Sequence, residues 1–336
     1  MAGALALALA AASCRAEPAG RRAAAASGAP AASGGPALLA PFPTRFPAAR
    51  RLVAVGDLHG DMWAARAALR LGGLIDERDQ WIGADAVLVQ TGDVLDRGDE
   101  ERAILDLFDR LDEQAQRAGG RVHVLSGNHE IMNVAGDLRY VTPGGFAAFA
   151  DAGPVDPADP LLDRYPEQVR PRLAAFRPGG PYARRLAAHP IVLVVGETLF
   201  VHGGLLPKHV RAGLEAINQE MRDWLSTEGA AGPELLLARD SPIWERRYAQ
   251  DPSPADCQLA AETLRLAGAR RLVVGHTTLP HGIASFCEDR VWDLDVGLAR
   301  SYAGRIEVLE MSGAELRVLR LDAGAVPPAE PPDAGP

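Results

Sequence analysis

The chain alternates short apolar runs with longer amphipathic stretches. Arg51–Val55, Ala86–Gln90, Arg121–Leu125 and Arg271–Val274 are runs dominated by Val, Leu and Ala, short enough for buried strands. Between the first three lie segments of helical spacing. Asp61 precedes Trp63, Ala67, Leu69 and Leu71 as a cap precedes a helix. Ile104, Leu105, Leu107, Phe108 and Leu111 form one apolar face of a helix from about Glu100 to Arg117. Strand, loop and helix in repeated alternation predict an α/β fold. Ile191–Val195 and Thr198–Val201 predict a hairpin turning at Gly196-Glu197. Val291–Asp295, Arg305–Met311 and Glu315–Leu321 predict closing strands, the last two joined around Ser312-Gly313. Residues 136–188 break this rhythm with many prolines and read as a helical insertion near the site, and 205–267 read as mostly helical.

Composition sets the frame. The chain has 336 residues, 47% of them hydrophobic, which suffices for a sizeable core. Its net charge of -9 argues against general nucleic-acid binding, which needs a basic footprint. Residues 1–14 are an Ala/Leu-rich run ending in Cys14, the pattern of a signal or lipoprotein leader too short to span a membrane. On that reading Cys14 is lipidated and the protein is exported, periplasmic or membrane-anchored. The alternative is an Ala-rich disordered leader on a cytoplasmic protein. Residues 15–45 read as a flexible linker, 46–321 as the folded domain and 322–336 as a disordered tail. Cys257 and Cys287 either pair or remain buried thiols.

Five strands end in glycine-bearing loops with metal-ligand side chains: Asp57 and His59; Asp93; Asn128 and His129; His202; His276. Carboxylate, amide and imidazole together suit Mn, Fe or Zn better than calcium. Six or seven donors are too many for one ion and predict two divalent metal ions. Asp93, in the central loop, has two oxygens and a full charge and is the natural bridge. Asp61 and Glu130 read as a helix cap and a loop brace, and His123, His189, His209 and His281 lie off these loops. Trp63, Trp81, Trp224 and Trp292 read as core, with Trp244 at the pocket's border.

The motifs GDLHGD at 56–61, GDVLDRG at 92–98, GNHE at 127–130, VHGG at 201–204 and GHT at 275–277 resemble the calcineurin-like metallophosphoesterase superfamily. The DRG at 96–98 is similar to its phosphoprotein phosphatase branch. The run His129–Tyr140 and the block Ser241-Pro242-Ile243-Trp244-Glu245-Arg246 are similar to motifs of Shewanella-like protein phosphatases. The resemblance implies a central β-sandwich flanked by α-helices with a helical insertion. It implies that Asp57 and His59 bind one metal, that Asp93 bridges, and that Asn128, His202 and His276 bind the second. A hydroxide between the ions then attacks phosphorus in line. His129, held by Asp96, protonates the leaving oxygen. Arg97, Arg246 and Asn128 hold the phosphate, with Arg247 competing for the place of Arg246. The implied activity is that of a phosphomonoesterase acting on phosphorylated proteins. A symmetrical diadenosine tetraphosphate hydrolase, or another small-phosphate hydrolase, is the alternative. Residues 293–302 do not resemble the tyrosine-bearing substrate loop of eukaryotic Ser/Thr phosphatases.

Overall fold

The computed structural model describes residues 43–321 apart from 154, 157, 161 and 250. The leader at 1–14, the linker up to residue 42 and the tail at 322–336 lie outside the described residues. The strands, in chain order, are β1 (Arg45–Phe46), β2 (Arg51–Val55), β3 (Val87–Gln90), β4 (Arg121–Val124), β5 (Val192–Val195), β6 (Thr198–Val201), β7 (Arg271–Val274), β8 (Ala284–Phe286), β9 (Val291–Asp293), β10 (Glu307–Ser312) and β11 (Glu315–Arg320). Among the described residues they form a six-stranded sheet, β1-β5-β6-β7-β9-β8, and a five-stranded sheet, β11-β10-β2-β3-β4.

Register explains why the ligand-bearing loops meet. β2, β3 and β4 run parallel, with Val55 opposite Gln90 and Gln90 opposite Val124. Parallel neighbours need crossovers, supplied here by the helices Met62–Leu71 and Glu101–Arg117. The loops after these three strands therefore leave the sheet at one level. In the other sheet β6, β7 and β9 are also parallel, with Phe200 opposite Val273 and Val274 opposite Asp293. His202, His276 and Asp295 follow those strand ends. Carboxyl ends of parallel strands are where α/β sheets bind ligands.

One apolar cluster runs through both sheets, and Leu88, Val89, Leu193, Phe200 and Val273 within it are fully buried. Each such side chain contributes roughly 1.5–3 kcal/mol relative to exposure. β10 pairs antiparallel with both β11 and β2, so the closing hairpin completes the second sheet. Asp61 caps its helix as expected, Oδ1 accepting from the Ala64 N–H at 3.1 Å.

Several boundaries differ from expectation. Arg45, assigned to the linker, belongs to β1, which pairs in parallel with β5. β1 and β8 hold two and three residues, too few to show a period. In the insertion, Pro143, Pro171 and Pro181 begin helices, at Pro143–Ala147, Arg170–Phe176 and Pro181–Leu186. A first-turn proline forfeits no helical hydrogen bond. Trp224 is buried, but Trp63, Trp81 and Trp292 only pack against the core from its margin. Cys257, on the helix Pro254–Ala267, is bonded to Cys287 beyond β8, with Cα atoms 5.1 Å apart. Among the described residues no helix is long and apolar enough to cross a membrane.

Candidate metal centre

The loop after β3 is shaped by backbone geometry that few residue types accept. Asp93, Asp96 and Arg97 have φ of 56°, 67° and 66°, and His59 and His276 have φ of 44° and 69°. Left-handed non-glycine residues of this kind cost about 1–3 kcal/mol each and persist only where the surroundings impose them. Here Glu130 imposes much of it. Its carboxylate accepts the backbone N–H groups of Gly127, Asp93, Val94 and Leu95 at 2.7–3.0 Å. The loop brace read from the sequence is thus a four-donor clasp. A Cβ at Gly127 would lie 2.2 Å from Asp93 Oδ1, so only glycine admits the carboxylate there.

Asp93 is the focus of the site. Its Oδ2 lies 3.2 Å from His202 Nε2, 3.8 Å from His129 Nε2 and 3.9 Å from His59 Nε2. Burial pushes its pKa upward, yet His202, His129 and His59 together hold it well below the usual carboxylate range. Two groups of converging ligand atoms result: His59, Asp93 and His129, and Asp93, His202 and His276. Asp93 belongs to both. Asp57 borders the same cavity and accepts the His276 N–H at 3.1 Å. Burial and the carboxylates of Asp295, Asp93 and Asp293 raise its pKa well above the ordinary value, a balance that a cation reverses.

The donor set fits cations. His202 donates Nδ1–H to the Thr91 carbonyl at 3.0 Å, and His59 Nδ1 lies 3.1 Å from the Leu95 carbonyl. Such bonds set the tautomer and leave Nε2 as the lone-pair nitrogen. His202 Nε2 then faces two oxygens, Asp93 Oδ2 and Asn128 Oδ1 at 3.0 Å. The Asn128 amide is oriented by its Nδ2, which points to Met132 Sδ at 3.7 Å. A lone pair among oxygen acceptors is repulsive unless a proton or cation joins them. His276 Nε2 is buried without a hydrogen-bond partner. Burial, His202 and Arg246 lower its pKa to about 2, despite the opposing pull of Asp93, and burial lowers that of His59 to about 4, so both rings are neutral. Neutral imidazoles and carboxylates are the forms metals bind.

Beside this centre stands a dyad. His129 Nδ1 lies 2.6 Å from Asp96 Oδ2, and Asp96 Oδ1 accepts from Asn133 Nδ2 at 2.9 Å. Burial alone lowers the His129 pKa, but Asp93, Asp96 and Glu130 outweigh it and raise the value above normal. Asp96 therefore serves His129, not Arg97. The Arg97 guanidinium lies between the rings of Tyr140 and Tyr302, 4.3 and 5.1 Å from their centroids, and its buried Nε has no hydrogen-bond partner. Arg246 borders the cavity and donates to the His276 carbonyl at 2.7 Å, whereas Arg247 turns to Glu245 at 2.9 Å.

Every predicted site residue but His202 lines, or in the case of Asp96 abuts, one cavity of about 80 Å³, and His202 packs directly beneath. A larger cavity of about 580 Å³ lies along the helix Met62–Leu71, but its Arg66 and Arg70 are paired with Asp79. The chemistry converges on the smaller one. His281 is exposed and takes no part. Sequence reasoning missed Tyr140, Tyr302, Asp293 and Asp295. Tyr302 stacks on His59 at 5.1 Å, and Trp244 meets His276 edge-on at 5.5 Å. Two signals were available: Tyr140 ends the His129 run, and the segment 293–302 holds Asp293, Asp295 and Tyr302.

A shared carboxylate between two ligand groups, with an imidazole–carboxylate dyad and a guanidinium alongside, defines a metal-dependent phosphoester hydrolase on a two-sheet α/β fold. The Calcineurin-like phosphoesterase family matches residues 50–280, and the chain belongs to that family, whose members use divalent metal ions. It is 40% identical over 299 residues to Shewanella-like protein phosphatase 2 of Arabidopsis thaliana, covering 80% of this chain and 76% of that one. It is 30% identical over 260 residues to Shewanella-like protein phosphatase 1 of Plasmodium berghei, covering 74% and 67%. Its fold matches a solved cold-active protein tyrosine phosphatase with a TM-score of 0.67 at 24% identity, covering 82% and 78%.

Proposed function

We propose that this protein is a phosphoprotein phosphatase whose substrate is an aryl phosphate, phosphotyrosine above all. The observation that carries the reading is the His129–Asp96 pair at 2.6 Å set beside the shared carboxylate of Asp93 and the unpartnered Nε of Arg97. Asp57, His59 and Asp93 would hold one divalent ion, and Asp93, Asn128, His202 and His276 the other. When bound, such ions supply Lewis acidity toward phosphoryl oxygens and lower the pKa of water.

The chain's own residues do the rest. Arg97 presents its guanidinium to phosphate oxygens, for which its planar fork is suited. Arg246, which lines the same cavity, would meet the same group. His129 delivers a proton from Nε2 to the leaving oxygen, and Asp96 fixes the ring by holding Nδ1–H. Tyr140 and Tyr302, 37% and 41% exposed, border the cavity and would pack their exposed aromatic surface beside an aromatic leaving group. This last feature favours phosphotyrosine over phosphoserine.

The test is a panel of phosphotyrosine, phosphoserine and phosphothreonine peptides with diadenosine tetraphosphate, run on protein loaded with Mn, Fe or Zn. Phosphotyrosine peptides should lead in kcat/KM. Faster hydrolysis of the dinucleotide would establish the small-phosphate alternative instead. The same panel ranks Mn, Fe and Zn by the activity each supports. We further propose export with lipidation at Cys14, supported by the apolar run before it and by the Cys257–Cys287 bond, which suits an oxidising compartment. An unmodified Met1 start in the intact mass of membrane-fraction protein would overturn that proposal.

A further inference from the structure

The insertion does more than border the cavity. Arg172, on the helix Arg170–Phe176, is fully buried, and its guanidinium reaches past the insertion into the dyad's support. Nη1 and Nη2 grip the two oxygens of Glu101 at 2.5 and 2.9 Å. Nε donates to Asn133 Oδ1 at 2.8 Å, and Nη1 also donates to the Gly145 carbonyl at 2.9 Å. Nη2 lies 3.5 Å from Asp96 Oδ1. The rings of Phe149 and Phe176 flank the group at 4.8 and 5.1 Å.

What Arg172 holds is what holds His129. Asn133, oriented by Arg172 Nε, donates from its Nδ2 both to Asp96 Oδ1 and to the His129 carbonyl, each at 2.9 Å. Glu101, oriented by the guanidinium fork, accepts the Asp96 N–H. Both ends of Asp96, backbone and carboxylate, therefore depend on one side chain of the insertion. A flexible ammonium cannot reproduce this, because the contacts use the planar fork in several directions at once.

We infer that Arg172 is a positioning residue for the proton-donating dyad, acting through Asp96, Asn133 and Glu101 without touching substrate. The inference rests on the phosphatase reading above and names what aims its acid. Misplacement of a catalytic group by ångströms can cost orders of magnitude in rate while binding persists.

The experiment uses the full chain loaded with manganese and a series of aryl phosphates whose leaving phenols run from p-nitrophenol to phenol. Proton delivery matters most for the poorest leaving group. In Arg172→Met, kcat for phenyl phosphate should fall about 10²-fold and that for p-nitrophenyl phosphate less than about fivefold, with KM within about twofold. Bound manganese should be unchanged. Asp96→Asn combined with Arg172→Met should lose no more than Asp96→Asn alone, as expected for residues acting as one unit. Guanidinium ion should restore part of the phenyl phosphate rate in Arg172→Ala. An equal loss for every phenol, or a double variant showing the product of the two single losses, overturns the inference. If the Met variant does not fold, Arg172→Lys carries the same comparison: a steepened dependence on the leaving phenol supports the inference and a parallel loss overturns it. A wild-type protein inactive on all aryl phosphates overturns the aryl-phosphate reading and this inference together, whereas an active wild type with parallel losses overturns the inference alone.

Discussion

Gly127→Ala tests the metal centre with a single methyl group. Gly127 has φ of -94° and ψ of -169°, an extended conformation that alanine also adopts, so the substitution adds no backbone strain. The cost is one of contact. The new Cβ would lie 2.2 Å from Asp93 Oδ1, 2.7 Å from Asp93 N and 2.9 Å from His202 Cε1. Relief requires the Asp93 carboxylate to retreat by about 1 Å, and a shift of that size in a functional group can cost about 10²-fold in rate. Glu130 holds the Asp93 N–H at 2.9 Å and resists the retreat. Overpacking of this kind also destabilises by about 1–3 kcal/mol. Because Asp93 belongs to both ligand groups, both ions should weaken together. The assay is manganese titration by calorimetry, with bound metal counted by mass spectrometry and the fold followed by circular dichroism. The expected result is a folded protein that binds neither ion with wild-type affinity. Two equivalents bound at wild-type affinity would show that Asp93 is not the shared ligand.

Three further outcomes are expected. Asp96→Asn must place an amide N–H against either His129 or the Asn133 and Arg172 donors, so kcat should fall about 10²–10⁴-fold with little change in substrate KM; near-normal turnover of phenyl phosphate by a folded variant would reject the dyad. Opening the Cys257–Cys287 bond, which closes a loop of 30 residues, should lower unfolding stability by roughly 3–4 kcal/mol in denaturant titrations with and without reductant, and coincident midpoints would show that the bond constrains nothing. His189 is buried with its Nδ1 unpartnered, and burial and Arg185 lower its pKa to about 4. The unfolded chain binds a proton near pH 6.5 and the folded chain does not, so stability is flat above that pH and falls as pH drops toward 4. The loss from this group reaches about 2.5 kcal/mol at pH 4.5. His189→Leu should therefore gain on the wild type as pH falls, and a pH-independent difference between the two in urea titrations would refute the assignment.

Much of this protein was legible before folding was considered. Strands β2, β3, β6 and β7 are apolar runs that suit a sheet interior, and the strand–loop–helix alternation around β2 and β3 implies an α/β fold. The loop ligands were visible because Asp, Asn and His beside glycine recur at five strand ends. That local pattern reports on neighbours in the chain. It does not report on contacts between segments far apart, and those decided the rest. Arg246 and Arg247 are equivalent as letters, and only the turn after Ser241 sends one to His276 and the other to Glu245. Asp61 is bound to Arg300, 239 positions away, on the loop whose Tyr302 covers His59. Cys257 and Cys287 meet because a helix end and a sheet edge happen to be adjacent. Arg172 reads as one more charged residue in a proline-rich stretch, yet its burial against Glu101, 71 positions earlier, is set by packing alone. Residue type and spacing determined which chemistry the chain carries; the three-dimensional arrangement decided which atoms meet, because side-chain direction and burial exist only once distant segments share a core.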